Sequence, residues 1–425
     1  MSKARFKRAV LAALRGDPDT AWLGLLPALQ SKQGSDLLRW LDQGGLSLLF
    51  LQRLQTCAPA PNAADWLGAL RPRLERNTKR VQDMLEEFQR LHQALRACGV
   101  TAAALKGFTL IPDFCEDPCL RHQVDFDFLI APTSLRAAAE ALHSCGYSSG
   151  HLSESRETCF TTALRHIPSP QDDIYAVQRH RQVDLHVSIW EECSWFSINA
   201  PADCLDFAQP GNVHGVPYLG LTLEDKFLMQ VFHAFRHSFR SWVRLSWLRE
   251  IGQFMENHGG NSALWHKIIA RSGDTCLTRM VFPFVLGIAN RLFGSPIPTQ
   301  IVSWTGDAMP LSLSVWLDHF AVDWAISDWP GSLNNLFLTD LFIPDRAKRF
   351  EYVRGRLFPK SSSTSIGSVA VNSSGMFLRL QAARLSYVTH RAAVHLTDIS
   401  RLPLQQVRWK RALQASRRSI LDHHG

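Results

Sequence analysis

The sequence predicts an α+β protein in which one small α/β domain lies between N-terminal and C-terminal helical regions. Three observations predict it. Apolar residues recur at three- and four-residue spacing in Leu37–Leu54 and Leu74–Leu95, the period of an amphipathic helix. In Val124–Ile130 and Val183–Val187 the period shortens to two, which is the mark of a strand. Beyond Pro217 the helical period returns and continues.

Residues 1–98 form the N-terminal helical region, a packing and lid domain. Met1–Arg15 reads as an amphipathic helix with a basic start, and Arg15 and Asp17 break its apolar run too early for a signal peptide. Cys57–Asn62, with Pro59 and Pro61, is a turn or short linker. A long Arg/Glu/Gln-rich helix then runs to Cys98, where Gly99 suits its C-cap.

Residues 99–215 form the α/β domain. Val100–Leu105 is short, apolar and small-sided, as a buried strand would be, and Lys106-Gly107 follows at its end. A helix is expected to start directly after Gly107, and such a strand-glycine-helix junction presents backbone N–H groups to a phosphate. Thr133–Cys145 is an amphipathic helix with Leu135, Ala138 and Leu142 on one side and Gly146 as its stop. Residues 150–180 hold one or two strands and a turn at Pro168–Asp173, and Val183–Trp190 is the next strand.

Residues 216–358 read as a helical extension. Its first helix follows Leu221, with Thr222 and Asp225 at capping-box spacing. Phe227, Val231, Phe235 and Phe239 mark its buried stripe. Further helices are expected near 243–257, 262–271, 275–293, 312–325 and 346–357. Residues 359–425 are a linker, Ser361–Ser368, and a basic tail that reads as a pair of helices from about 376 onward.

The composition is that of a globular chain, 46% hydrophobic and 20% charged, with 13 Trp and 24 Phe to build cores. Its 425 residues exceed the roughly 250–300 at which single cores stop growing. A formal charge of +8 favours anionic ligands in general, although part of it sits in the tail. Nine scattered cysteines without Cys-x-x-Cys pairs argue against a disulfide framework and for a reducing, cytoplasmic setting. Cys115 and Cys119 have no partner pair at zinc-finger spacing. No run of 18 or more uninterrupted apolar residues is present, so no membrane span is expected.

The chemistry falls on the two alternating runs. In Val124–Ile130, Asp125 and Asp127 share one strand face while Val124, Phe126 and Phe128 take the other. Two like charges on a covered strand are costly unless a cation offsets them, so the pair reads as half of a metal site. Asp184 completes an acidic triad if the two strands are neighbours. Hard oxygen ligands suit Mg²⁺ or Mn²⁺ with a nucleotide phosphate in the shell.

Arg121, four residues before Asp125, is the cation best placed to neutralise the acids or to hold a phosphate, and its plain alternative is a surface arginine. His186 shares a face with Asp184 and reads as a proton shuttle, a base contact or a core histidine. His233 and His237 lie one helical turn apart and read as packing residues or a wall of the site, and Trp242 and Trp247 as core.

Taken together, Leu105-Lys106-Gly107, Asp117-Pro118 with Arg121, Asp125-x-Asp127 with Leu129-Ile130, Gly146-Tyr147 and Val183-Asp184-Leu185-His186 resemble the uncharacterised nucleotidyltransferase family of the polymerase-β-like superfamily. The likeness extends through His233, His237 and Trp247–Ile251 to Leu341–Pro344, covering most of residues 75–357. It implies a minimal nucleotidyltransferase domain with a mixed sheet, and transfer of a nucleoside monophosphate from an NTP donor. Asp125, Asp127 and Asp184 would be the catalytic metal ligands, and Lys106, Gly107, Arg121 and His186 the nucleotide-binding residues. The same resemblance admits an inactive nucleotide-binding or partner-docking module.

Three departures stand out: Lys106-Gly107 in place of the superfamily's Gly-Ser or Gly-Gly, Phe128 for Leu, and Glu250 for Asp. The acceptor is expected to be a small molecule, protein or peptide rather than nucleic acid, because the basic tail lacks the stacking aromatics of single-strand binders.

Overall fold

A computed structural model describes residues 3–16, 20–57, 62–149, 152, 157–162, 174–176, 181–189, 195–196, 198, 201–240, 243–328, 331–357 and 374–424. The expected turn at Pro168–Asp173, the Ser361–Ser368 linker, the two linker prolines, Asp17, Trp190 and Trp242 lie outside the described residues.

The chain opens with helices α1 (Lys3–Leu14), α2 (Lys32–Gly44), α3 (Ser47–Gln55) and α4 (Ala63–Ala97). The apolar run Leu37–Leu54 is thus two helices rather than one. Gly45 adopts φ 69° and Leu46 N–H returns to the Leu41 carbonyl at 2.9 Å, the glycine-dependent stop that a helical period alone does not reveal. Gly99 ends α4 in the same way, with φ 73° and Val100 N–H on the Leu95 carbonyl at 3.0 Å.

Strands β1 (Ala102–Ala104) and β2 (Asp125–Ile130), helix α5 (Leu135–Ser144), and strands β3 (Ser148–Ser149), β4 (Thr158–Thr161), β5 (Gln182–His186), β6 (Gln209–Val213) and β7 (Val216–Gly220) follow. They make one mixed sheet in the order β3-β4-β5-β2-β1-β7-β6. β2 runs parallel to β5 and β1 parallel to β7, and the remaining pairs are antiparallel. The β6–β7 hairpin is announced by no apolar alternation: its turn is His214-Gly215, both with positive φ, and β6 is largely exposed.

The helical extension comprises α6 (Leu223–Arg240), α7 (Leu245–His258), α8 (Ser262–Arg271), α9 (Cys276–Phe293), α10 (Thr299–Thr305), α11 (Leu311–His319), α12 (Ala321–Ala325), α13 (Thr339–Phe342) and α14 (Arg346–Leu357). Asp225 N–H donates to Thr222 Oγ1 at 3.2 Å, closing the first turn as its spacing predicts. The tail is one continuous helix, α15 (Ser374–His424), rather than the expected pair, and it carries Pro403 inside it. α9 is long and apolar enough to cross a membrane by length and composition, but most of it is buried inside the protein, so it is a core helix.

Alternation along β2 divides the sheet into two faces. Phe126, Phe128 and Ile130 enter a core with Met84, Phe88 and Leu91 of α4 and Leu135, Ala138 and Leu142 of α5. Phe88 stacks on both Phe126 and Phe128, with ring centroids 6.1 and 5.9 Å away. Asp125, Asp127 and Leu129 take the opposite face, where Leu129, Ala103 and Leu105 pack with Met229 of α6. A separate, larger core joins α1–α3 and the start of α4 to the helical extension, through Trp40, Phe50 and Trp66 on one side and Phe227, Phe235 and Phe284 on the other. The N-terminal helices therefore brace the helical cap that closes over the acidic face.

Candidate active site

The pairing of β2 with β5 sets the geometry. In their parallel register Asp127 lies opposite Asp184, and Asp125 opposite Gln182. Side chains at facing positions of neighbouring strands share a face, so the neighbour relation the triad requires is met. Each of Asp125, Asp127 and Asp184 offers a carboxylate oxygen within 4.8 Å of the others. Asp127 and Asp184 are buried and Asp125 is half-buried.

The basic side chains are distributed unevenly over these acids. Lys106 Nζ donates to Asp127 Oδ1 at 2.9 Å, and His186 Nε2 lies 3.0 Å from the same oxygen. Burial raises the Asp127 carboxyl, but Lys106 and His186 outweigh it and hold the group below the usual carboxylate range. Asp184 receives Gln182 Nε2, at 2.9 and 2.8 Å, and the Cys159 thiol, both of them neutral. Burial, with the neighbouring Asp127, Glu157 and Asp125, pushes it well above that range, and burial and Asp127 raise Asp125 as well. Burial lowers the Lys106 ammonium, but Asp127 and Asp125 more than offset this and raise it.

Gly107 has φ 70°, a conformation L side chains rarely adopt, and a Cβ there would lie 2.2 Å from Gln123 Nε2. The junction after it is a single 3₁₀ turn, Gly107–Leu110, not the expected helix. Lys106 is therefore aimed at Asp127 by a glycine turn, without a helix end behind it.

Arg121 belongs to a loop tied down from behind. Asp117 Oδ1 accepts from Cys119 N–H at 2.7 Å, starting the turn Pro118–Leu120. From α4, Asn77 Nδ2 donates to the Cys119 and Arg121 carbonyls at 2.7 and 3.1 Å, and Arg80 donates to the Gln123 carbonyl. The Arg121 guanidinium is buried and paired with Glu250, Nε to Oε1 at 2.9 Å. Gln230 Nε2 donates to the other Glu250 oxygen at 3.1 Å. The acid at position 250 thus spans α6, α7 and the loop.

A cavity of about 430 Å³ opens over the triad. Lys106, Arg121, Asp125, Asp127, Asp184 and His186 line it from the sheet side, and His233, Arg236, His237, Arg244 and Trp247 from the cap. Six of the seven residues expected at the site from sequence therefore meet at one cavity, with Gly107 shaping its edge. The His233 and His237 rings lie 4.4 Å apart, tilted by 49°, and both meet Trp247 edge to face, at 4.5 and 4.8 Å, so they are a wall of the site. Burial, with Lys106 and His237, drives the His233 imidazole well below its usual pKa.

Sequence reading missed Glu157, Gln182, Arg236 and Arg244, which lie at the cavity or on its carboxylates. Gln182, two residues before Asp184 on the same strand, was within reach of the alternation argument. The other three are single polar residues outside any motif.

Fold and site define the class: a nucleotidyltransferase-type sheet with an acidic triad under a helical cap, consistent with a metal-binding catalytic site. The chain belongs to the uncharacterised nucleotidyltransferase family, which it matches over residues 30–294. It matches no curated protein and no solved structure.

Proposed function

We propose that the protein transfers a nucleoside monophosphate from an NTP to an acceptor hydroxyl or amine, with Mg²⁺ or Mn²⁺ as cofactor. The observation that carries this reading is the register that brings Asp125, Asp127 and Asp184 within 4.8 Å of one another at a cavity. The donor set fits the cation: three hard carboxylate oxygens, two of them on carboxyls raised by burial and by neighbouring like charge. A pair of such ions, when bound, neutralises phosphate charge and lowers the pKa of an attacking hydroxyl.

The chain's own residues supply the rest. Asp127 would stay ionised through Lys106 and His186 and so remain a ligand in acid. Gln182 orients the Asp184 carboxylate through both of its oxygens. Lys106 would exchange its Asp127 contact for a phosphate oxygen. Its ammonium is a compact, flexible point charge suited to that exchange. The His233, His237 and Trp247 wall excludes water from the cap side of the cavity. The acceptor, by the same proposal, is a small molecule or a protein or peptide side chain.

A second reading has one observation in its favour. Lys106-Gly107 runs into a single 3₁₀ turn with Gln123 packed across it, rather than into a helix N-terminus. A protein that bound nucleotide there without turnover would serve as a sensor or docking module.

Pyrophosphate release separates the two. Wild-type chain is assayed with Mg²⁺ and each NTP against a panel of hydroxyl and amine acceptors, beside Asp125→Asn. Acceptor-dependent release lost in the variant supports transfer. Tight Mg-NTP binding by calorimetry with no release over the panel favours the second reading.

A further inference from the structure

Arg244, the residue before α7, lines the cavity, and among the described residues its guanidinium forms no ion pair. Its Nη1 donates to the His122 carbonyl at 3.2 Å and its Nη2 to His122 Nδ1. His122 Nε2 lies 2.7 Å from the Ile174 carbonyl, a group that only accepts. Nε2 therefore carries the ring proton, and Nδ1 is the lone pair that Arg244 meets. Both acceptors are neutral, and among the described residues no carboxylate lies within ion-pair distance of Arg244.

Its neighbours each have a carboxylate partner, Glu250 for Arg121 and Asp127 for Lys106. Burial and the adjacent Arg121 lower the Arg244 pKa and outweigh the more distant Glu250 and Asp125. A half-buried cation kept without an ion pair is costly. A negative ligand entering the same cavity would remove that cost.

We infer that Arg244 is a receptor for the phosphate oxygens of the bound nucleotide, an assignment that rests on the nucleotidyltransferase reading of the site. One hydrogen on each terminal nitrogen is left after the His122 contacts, and guanidinium N–H groups match phosphate geometry. The acidic triad repels a bare anion, so the ligand that satisfies both halves of the cavity carries phosphates and a divalent cation together. His122 is the positioning residue, because its Ile174 contact fixes the tautomer that aims the guanidinium.

Calorimetry on the full chain tests this with inorganic triphosphate plus Mg²⁺ as one probe and Mn²⁺ alone as the other. Arg244→Gln is expected to bind triphosphate about 10–100-fold more weakly, the cost of a charge-assisted hydrogen bond, with Mn²⁺ affinity unchanged. Arg244→Lys should fall between the two. Wild-type-like triphosphate binding in Arg244→Gln, with binding lost in Asp125→Asn, overturns the role of Arg244 and leaves the nucleotidyltransferase reading standing. Equal losses of triphosphate and Mn²⁺ affinity in Arg244→Gln also overturn it, since they mark a structural role. Failure of wild-type chain to take up Mg-triphosphate at all overturns both.

Discussion

Asp127 and Asp184 face each other across the parallel register of β2 and β5, yet both Lys106 and His186 go to Asp127. Asp184 has a neutral glutamine. Two carboxylates in one site thus shift in opposite directions, Asp127 down and Asp184 up.

The sign of the pH dependence follows. Asp127, held low, contributes stability above the usual carboxylate range that is lost only as pH falls through its lowered folded pKa. Asp184, held high, does the reverse: its cost is absent in acid and grows as pH rises through its raised folded pKa. A divalent ion must displace the Asp184 proton to use that oxygen. The melting-temperature increase caused by Mn²⁺ is therefore expected to grow as pH rises from the usual carboxylate range through the raised Asp184 pKa. A shift that is constant across that range would count against Asp184 as a ligand. Asp184→Asn should melt about 2–4 °C above wild type without metal at neutral pH, the equivalent of roughly 1 kcal/mol, and should lose most of the Mn²⁺ increment.

The Arg121–Glu250 pair is buried on both sides, with side chains 12% and 6% exposed. Removing one partner leaves the other charge uncompensated, at a cost of about 3–5 kcal/mol. Urea unfolding of Arg121→Gln and of Glu250→Gln should show losses of that order, and the double substitution Arg121→Met with Glu250→Met should recover much of it. By contrast, Arg249→Gln, whose Glu256 partner is 32% exposed, should cost less than about 1 kcal/mol.

Gly107→Ala places a Cβ at positive φ and against the Gln123 amide, which itself donates to the Asp125 carbonyl at 2.9 Å. Backbone strain of this kind costs about 1–3 kcal/mol. The same substitution should weaken Mg-triphosphate binding, because Lys106 is aimed by that turn. Unchanged stability and affinity would mean that the turn has no share in the site.

Much of the site was legible because a strand repeats with period two. That arithmetic alone placed Asp125 and Asp127 on one face and Phe126 and Phe128 on the other, as Phe88 and the cavity bear out. The long helices were legible for the same reason: Phe227, Val231, Phe235 and Phe239 repeat at four and all are buried. Where periodicity is weak, the reading stopped. The β6–β7 hairpin is mostly exposed and turns on His214-Gly215. The helix break at Gly45 depends on one glycine, and the length of α15 on tolerance of Pro403.

The sequence by itself determined which carboxylates could act together on a strand, and that a small sheet lies between helical regions, since these follow from local spacing. Only the tertiary structure decided that Asp184 comes opposite Asp127, because strand pairing joins residues 57 apart in the chain. It also decided that Arg121 answers to Glu250, and that Arg244 meets a neutral histidine at the cavity wall. Charge compensation depends on distances between side chains far apart in sequence, and no residue pattern along the chain encodes them.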